Sequence, residues 1–221
     1  MSKFLAEFIG TYALVFFGTG AIIVNQEVNG VITNVGIAII FGLIVMAMIY
    51  SLGNVSGAHI NPAVSIAFTV AGRFPAKHLF PYICCQIAGG TLASLTLKFL
   101  FPLNGYLGAT LPRNSSTQSF VLEMILTFFL MLVIIKVATG SKEQGMFAGL
   151  TIGSVVALEA MFAGPICGAS MNPARSIAPA IVSGHVKQLW IYIFAPIIGA
   201  AVSIPVSNII TVKAANDYII E

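Results

Sequence analysis

Twice in this chain an Asn-Pro-Ala triplet follows a run of small residues and precedes an apolar segment too short to cross a bilayer. The first run is Ser56-Gly57-Ala58-His59-Ile60-Asn61-Pro62-Ala63, and the second is Gly164-Pro165-Ile166-Cys167-Gly168-Ala169-Ser170-Met171-Asn172-Pro173-Ala174-Arg175-Ser176. Proline after asparagine suits a helix start, because its missing N–H is one that a first turn leaves unpaired and its φ is already near helical. Asparagine at the cap bonds the backbone and fixes its own orientation. Small residues before it let backbone approach backbone. The two asparagines, 111 positions apart, stand in matching halves of the chain. Interrupted apolar segments in corresponding halves point to a midplane site in an inverted-repeat membrane protein. Half-helix N-termini meeting there aim positive dipole ends and free N–H groups at whatever passes.

The rest of the chain supplies the membrane part. Hydrophobic residues make up 58% of it and charged residues only 8%, with a mean hydropathy of +0.99. A soluble domain carries roughly 25% charged residues, so lipid must be the solvent here. Apolar spans are predicted near Phe4–Val24, Asn34–Leu52, His78–Leu100, Ser119–Thr139, Met146–Phe162 and Gln188–Ile210. Each approaches the ~20 residues that a hydrocarbon core requires. The half-helices, near Pro62–Ala71 and Ser176–Val182, fall short of that length. The longest polar connection is Pro102–Gln118, Gly140–Gln144 is a short charged turn, and the tail from Lys213 is polar. The first apolar run has no cleavage-site pattern and is expected to be retained as a membrane helix.

Six spans place both termini on one side. Lys3, Arg73, Lys77, Lys142 and Lys213 fall on that side with Lys136 near it, against Lys98, Arg113 and Lys187 on the other. That excess predicts cytoplasmic termini. The net charge of +3, without a basic cluster, gives no support for nucleic-acid binding. Cys84, Cys85 and Cys167 form neither a disulfide framework nor a metal-ligand pattern, and no metal or cofactor is expected. Nothing resembles a nucleophile–base pair or a phosphate-binding loop, so an enzyme is not expected. Glycines at 10, 18, 42, 89, 90, 149, 153 and 199 mark close helix crossings, with Gly149 and Gly153 four apart.

The paired triplets, with Ser56-Gly57-Ala58-His59 before the first and Arg175 after the second, resemble the aquaporin (major intrinsic protein) family from Glu7 to the last apolar segment. The resemblance implies an all-α integral membrane protein with six transmembrane helices and two re-entrant half-helices in an inverted repeat. One channel domain would span 1–221, its repeats lying near 1–105 and 115–221. The family also implies a homotetramer in the cell (plasma or inner) membrane, each protomer with its own pore for water and small neutral solutes.

Site residues follow from the same likeness. Asn61, Pro62, Ala63, Asn172, Pro173 and Ala174 would form the pore centre, with amide donors that orient water and break a proton relay. A lone acid inside a membrane helix is functional by default. Ala6-Glu7-Phe8-Ile9-Gly10-Thr11 echoes Leu122-Glu123-Met124-Ile125-Leu126-Thr127, and the family places Glu7 and Glu123 as supports of the re-entrant loop backbone. Arg175 belongs to the family's outer filter, and alignment back from each triplet sets Phe41, Ala160 and Ala169 at the other filter positions. Water-selective members typically carry His where this chain has Ala160. Two methyl-only positions imply a wider, less polar filter suited to glycerol or a neutral metalloid acid. Ser176 and Ala180 instead follow the water-channel pattern, and Tyr192-Ile193 replaces its common Phe-Trp pair. Phe162-Ala163-Gly164-Pro165 with Gly168-Ala169-Ser170-Met171 is similar to the nodulin-like intrinsic proteins, whose members often pass glycerol and metalloid acids.

His59 would line the cytoplasmic half of the pore, while His78 and His185 sit at span ends. Glu159, directly before a filter position, either bonds loop backbone, leans toward Arg175 or packs as a neutral carboxyl against a neighbouring helix. The expected function is a passive channel for water and small neutral solutes that excludes protons and ions. The alternatives are a glycerol or metalloid-acid facilitator with low water flux and a proton-coupled secondary transporter using Glu7, Glu123 and Glu159 as carriers.

Overall fold

A computed structural model describes residues 1–217. Among them the only regular secondary structure is helix, in the order α1 (Ser2–Glu27), α2 (Thr33–Ser56), α3 (Pro62–Val70), α4 (Ala76–Leu100), α5 (Ser116–Thr139), α6 (Lys142–Met146), α7 (Ala148–Cys167), α8 (Pro173–Ser183) and α9 (Leu189–Asp217). Six of these, α1, α2, α4, α5, α7 and α9, are long and apolar enough to cross a membrane. Helices are the natural open-ended element in lipid, since each satisfies its own backbone groups. The half-helices α3 and α8 have only 9 and 11 residues, and they pack inside the bundle against α4 and α9.

The halves pack alike. In the first, α1 crosses α4 so closely that a Cβ at Gly89 would lie on the Phe8 carbonyl; in the second, α5 crosses α9 with Gly199 on the Met124 carbonyl. These crossings bring Glu7 and Glu123, each one residue before the contact, to the bundle interior, where both are fully buried. The helices α2 and α7 meet across the pseudo-two-fold, with Gly42 and Gly153 in mutual backbone contact. Gly149, its partner in the Gly-x-x-x-Gly spacing, faces the Tyr50 ring.

Three boundaries depart from the sequence expectation. The fifth span does not end at Phe162: α7 continues through Pro165 to Cys167. Proline in a helix interior leaves the carbonyl four residues back without its N–H. Here that carbonyl, on Met161, accepts the Asn34 side-chain amide of α2 at 2.9 Å, so the helix survives its proline. The charged turn expected at 140–144 leads into the short helix α6, which runs to Met146 and is started by a capping box between Ser141 and Gln144. The tail expected to be polar from Lys213 lies partly in α9, which runs to Asp217; residues 218–221 lie outside the described residues.

Candidate functional site

Each re-entrant loop is built by the same backbone device. Gly57 and Gly168 end α2 and α7 in the left-handed region, at φ 86° and 91°, as helix C-caps commonly do. The loops then place Ala58 and Ile60 at φ 46° and 44°, and Ala169 and Met171 at φ 40° and 52°. Positive φ in residues with a Cβ is costly and persists only where the surroundings over-determine it. The surroundings are the two buried carboxylates. Glu7 accepts His59 N–H at 2.9 Å and Ser56 Oγ–H at 2.7 Å on Oε1, and Ile60 N–H at 2.7 Å and the Gln86 amide at 2.8 Å on Oε2. Glu123 accepts Ser170 N–H and Met171 N–H at 2.8 Å, one on each oxygen. Cys167 stands where the first half has Ser56, and its sulfur accepts the Ala169 N–H at 3.4 Å. These bonds turn consecutive N–H groups inward and leave the intervening carbonyls facing the other way.

Those carbonyls meet the asparagines. Asn61 caps α3, its Oδ1 accepting Ala63 N–H at 2.9 Å; Asn172 caps α8, its Oδ1 accepting Ala174 N–H at 3.0 Å. With the oxygens so held, the amide nitrogens point across the pseudo-two-fold. Asn61 Nδ2 donates to Met171 O, and Asn172 Nδ2 donates to Ile60 O, both at 2.8 Å. An amide carries two N–H donors, so each asparagine keeps one for another acceptor. The spacing of the triplets announced the caps but not this exchange, because it depends on how the two halves dock.

A cavity of about 720 Å³ runs along these residues. Its wall includes His59, Asn61, Asn172, Phe41, Ala160, Ala169 and Arg175, and it reaches Tyr50, Asn54 and Lys142 at one end. Glu7 and Glu123 do not line it. Pro62, Ala63, Pro173 and Ala174 are buried behind the caps as the first turns of the half-helices. His59 is packed by the Phe68, Phe74 and Tyr82 rings at 5.0, 4.8 and 5.4 Å, with Nδ1 3.0 Å from Ser65 Oγ. Neither His78 nor His185 is on the wall; His185 stacks on Tyr106 instead.

Arg175, only 2% exposed, donates from a terminal nitrogen to Gly108 O at 2.9 Å, and its guanidinium carbon lies 5.2 Å from the Phe41 ring centre. The long connection between α4 and α5 thus contributes directly to the site. It is anchored by Thr110, whose hydroxyl donates to Ser176 Oγ at 2.8 Å, and by Arg113 N–H on Ile166 O at 2.9 Å. In sequence this stretch is only a polar connection; Leu107 and Gly108, at φ 50° and 68°, form a tight turn that periodicity does not register. Glu159 bonds neither loop backbone nor Arg175. It is 4% exposed, absent from the cavity wall, and its Oε2 meets no hydrogen-bond partner among the described residues, so of the three expectations only packing between helices agrees with the geometry.

Comparison with known proteins places this geometry in a family. The family model described as Major intrinsic protein matches residues 1–206. Aquaporin NIP1-1 of Zea mays is 47% identical over 211 residues, covering 95% of this chain and 75% of the relative. Nodulin-26 of Glycine max is 45% identical over 211 residues, covering 95% and 78%. Among solved structures, the aquaglyceroporin from Plasmodium falciparum superposes with a TM-score of 0.79 at 27% identity, over 94% of this chain and 98% of that one. Re-entrant half-helices, six membrane-crossing helices and these matches agree: the chain is an integral membrane protein and belongs to the major intrinsic protein family of channels.

Proposed function

We propose that this chain is a passive channel carrying water and small neutral solutes such as glycerol, and rejecting protons and ions. The observation that carries the reading is a single cavity whose wall holds both cap asparagines, a buried guanidinium and two methyl-only positions. A water at the Asn61–Asn172 pair accepts the remaining N–H of each amide. Its own hydrogens then turn away along the pore axis, and a line of such waters cannot relay a proton. The N-terminal ends of α3 and α8 add a positive field that opposes cations.

Phe41, Ala160, Ala169 and Arg175 act as the selectivity filter in this reading. Arg175 offers donors and no acceptor, which suits permeating oxygens and repels cations. The ring face and the two methyl groups give an apolar wall for the carbons of a polyol. His59 lines the cytoplasmic half, while Glu7 and Glu123 hold the loops in register. The family is one of channels, and this chain is taken to have no catalytic activity. Residues 1–221 act as one channel domain with repeats near 1–105 and 115–221. Four copies assemble, each with its own pore, in the plasma or inner membrane with both termini cytoplasmic; the Lys and Arg bias of the loops supports that orientation.

A facilitator of glycerol and metalloid acids with low water flux would share these walls and differ in flux ratio. Proton-coupled transport has a specific observation against it: Glu7, Glu123 and Glu159 all lie off the cavity wall, and the first two accept the N–H groups of the re-entrant loops. The test is a proteoliposome assay of water efflux and glycerol uptake at equal protein, with an imposed proton gradient. Both fluxes should rise over empty liposomes and both should stop at equilibrium. Accumulation of solute against its gradient would overturn the channel reading, and water flux without glycerol uptake would overturn the wide filter.

A further inference from the structure

Phe41 can stand where it does only because residue 18 has no side chain. A Cβ built on Gly18 of α1 would fall 2.5 and 2.6 Å from Phe41 Cζ and Cδ1 and closer still to Cε1. Ordinary carbon contacts are about 3.5–4.0 Å, so the ring leans into the space that a methyl group would occupy. The helix carrying Phe41 cannot retreat. Its next residue, Gly42, is locked against α7, where a Cβ would meet Gly153 O at 2.5 Å and Ala157 Cβ at 2.6 Å. With the backbone pinned on that side, the ring is the part free to move. The guanidinium of Arg175, 5.2 Å from the ring centre, and the cavity lie in front of it. The same turn of α1 backs the other filter support: the backbone at Gly108, which accepts the Arg175 N–H, lies against Thr19, where a Cβ would stand 2.7 Å from Thr19 Cβ.

We propose that Gly18, which does not itself line the cavity, is a positioning residue that sets the width of the filter by leaving the space in which the Phe41 ring sits back from the pore axis. The inference rests on the reading of Phe41 as a filter residue. Adding a methyl behind the ring drives it forward by roughly 1.5 Å to restore normal contact. Water, the smaller solute, tolerates that advance; glycerol, which needs the width, does not.

The test uses purified full-length protein in liposomes and reads the ratio of glycerol to water permeability, which does not depend on how much protein is folded. Phe41→Leu alone should raise the ratio. If it leaves the ratio unchanged, Phe41 is not in the filter and the inference falls with that reading. Gly18→Ala should lower the ratio roughly tenfold, the discrimination that a methylene-sized change commonly produces. In the Phe41→Leu background the same substitution should have little effect, since the ring it displaces is gone. An unchanged ratio for Gly18→Ala, with Phe41→Leu still effective, overturns the role of Gly18 while leaving the filter in place. An equal fall in both backgrounds overturns the route through Phe41. Should Gly18→Ala not fold alone, Gly18→Ala combined with Phe41→Leu should fold, because the three atoms nearest the added methyl all belong to the Phe41 ring, and should keep the Phe41→Leu ratio; a double variant that still fails to fold, or whose ratio falls, refutes the proposal.

Discussion

Removing the loop-holding carboxylates should unravel stability and proton exclusion together. In Glu7→Ala the His59 and Ile60 N–H groups lose their acceptor, while the Ser56 hydroxyl can rotate and the Gln86 amide keeps Ser65 Oγ as a partner at 3.0 Å. Two buried backbone donors at about 1–3 kcal/mol each give ~2–6 kcal/mol. At ~2–4 °C per kcal/mol for a chain of this size, the melting point should drop by ~10 °C. Glu7→Gln should be milder. If its nitrogen takes the place of Oε1, the Ser56 hydroxyl can rotate and accept from it, so only the His59 N–H is orphaned, at ~1–3 kcal/mol. Beside Glu123 the corresponding neighbour is the Cys167 side chain, a weaker hydrogen-bonding partner than the Ser56 hydroxyl. Glu123→Gln must set an amide N–H against the N–H of Ser170 or Met171, and should cost at least as much as Glu7→Gln. The functional consequence crosses the two-fold. Ile60 O holds the Asn172 amide, so a loosened first loop misdirects the second asparagine. Thermal unfolding of purified protein and proton leak in liposomes read the two effects side by side. A Glu7→Ala protein melting within about 2 °C of the parent, with parental flux and no leak, would refute the argument.

Further outcomes follow from the same geometry. Ala160→His narrows the filter and adds a polar ring, so glycerol uptake should fall sharply while water permeability changes far less in the same liposomes; a parallel fall would place residue 160 in helix packing rather than at the pore. Arg175→Ala removes both the filter charge and the tie to Gly108, and should raise cation or proton current across voltage-clamped bilayers while water still passes. Asn34→Ala strands the Met161 carbonyl beside Pro165, costing about 1 kcal/mol, and should lower the melting point by a few degrees with little change in filter selectivity.

Much of this molecule is legible in one dimension. Composition and run length decide that lipid is the solvent and that six segments cross it, because an unsatisfied backbone in hydrocarbon leaves few alternatives. The cap role of Asn61 and Asn172 is local chemistry, written in the residue and the proline after it. Glu7 and Glu123 stand out because an acid in an apolar helix needs a reason. What the sequence could not decide is everything that depends on two segments meeting. The cross-bonding of each asparagine to the opposite loop, through Met171 O and Ile60 O, exists only once the halves dock. The persistence of α7 through Pro165 depends on an asparagine 127 residues away. Gly108 and Thr110 join the site because an irregular turn happens to lie against Arg175 and Ser176, and irregular backbone has no period to read. Glu159 was open in sequence for the same reason: its surroundings, not its identity, decide what it touches. Local signals set which residues cap, turn and span, since those are properties of a few neighbouring dihedrals. The pore is a property of the space between helices, and only their packing defines it.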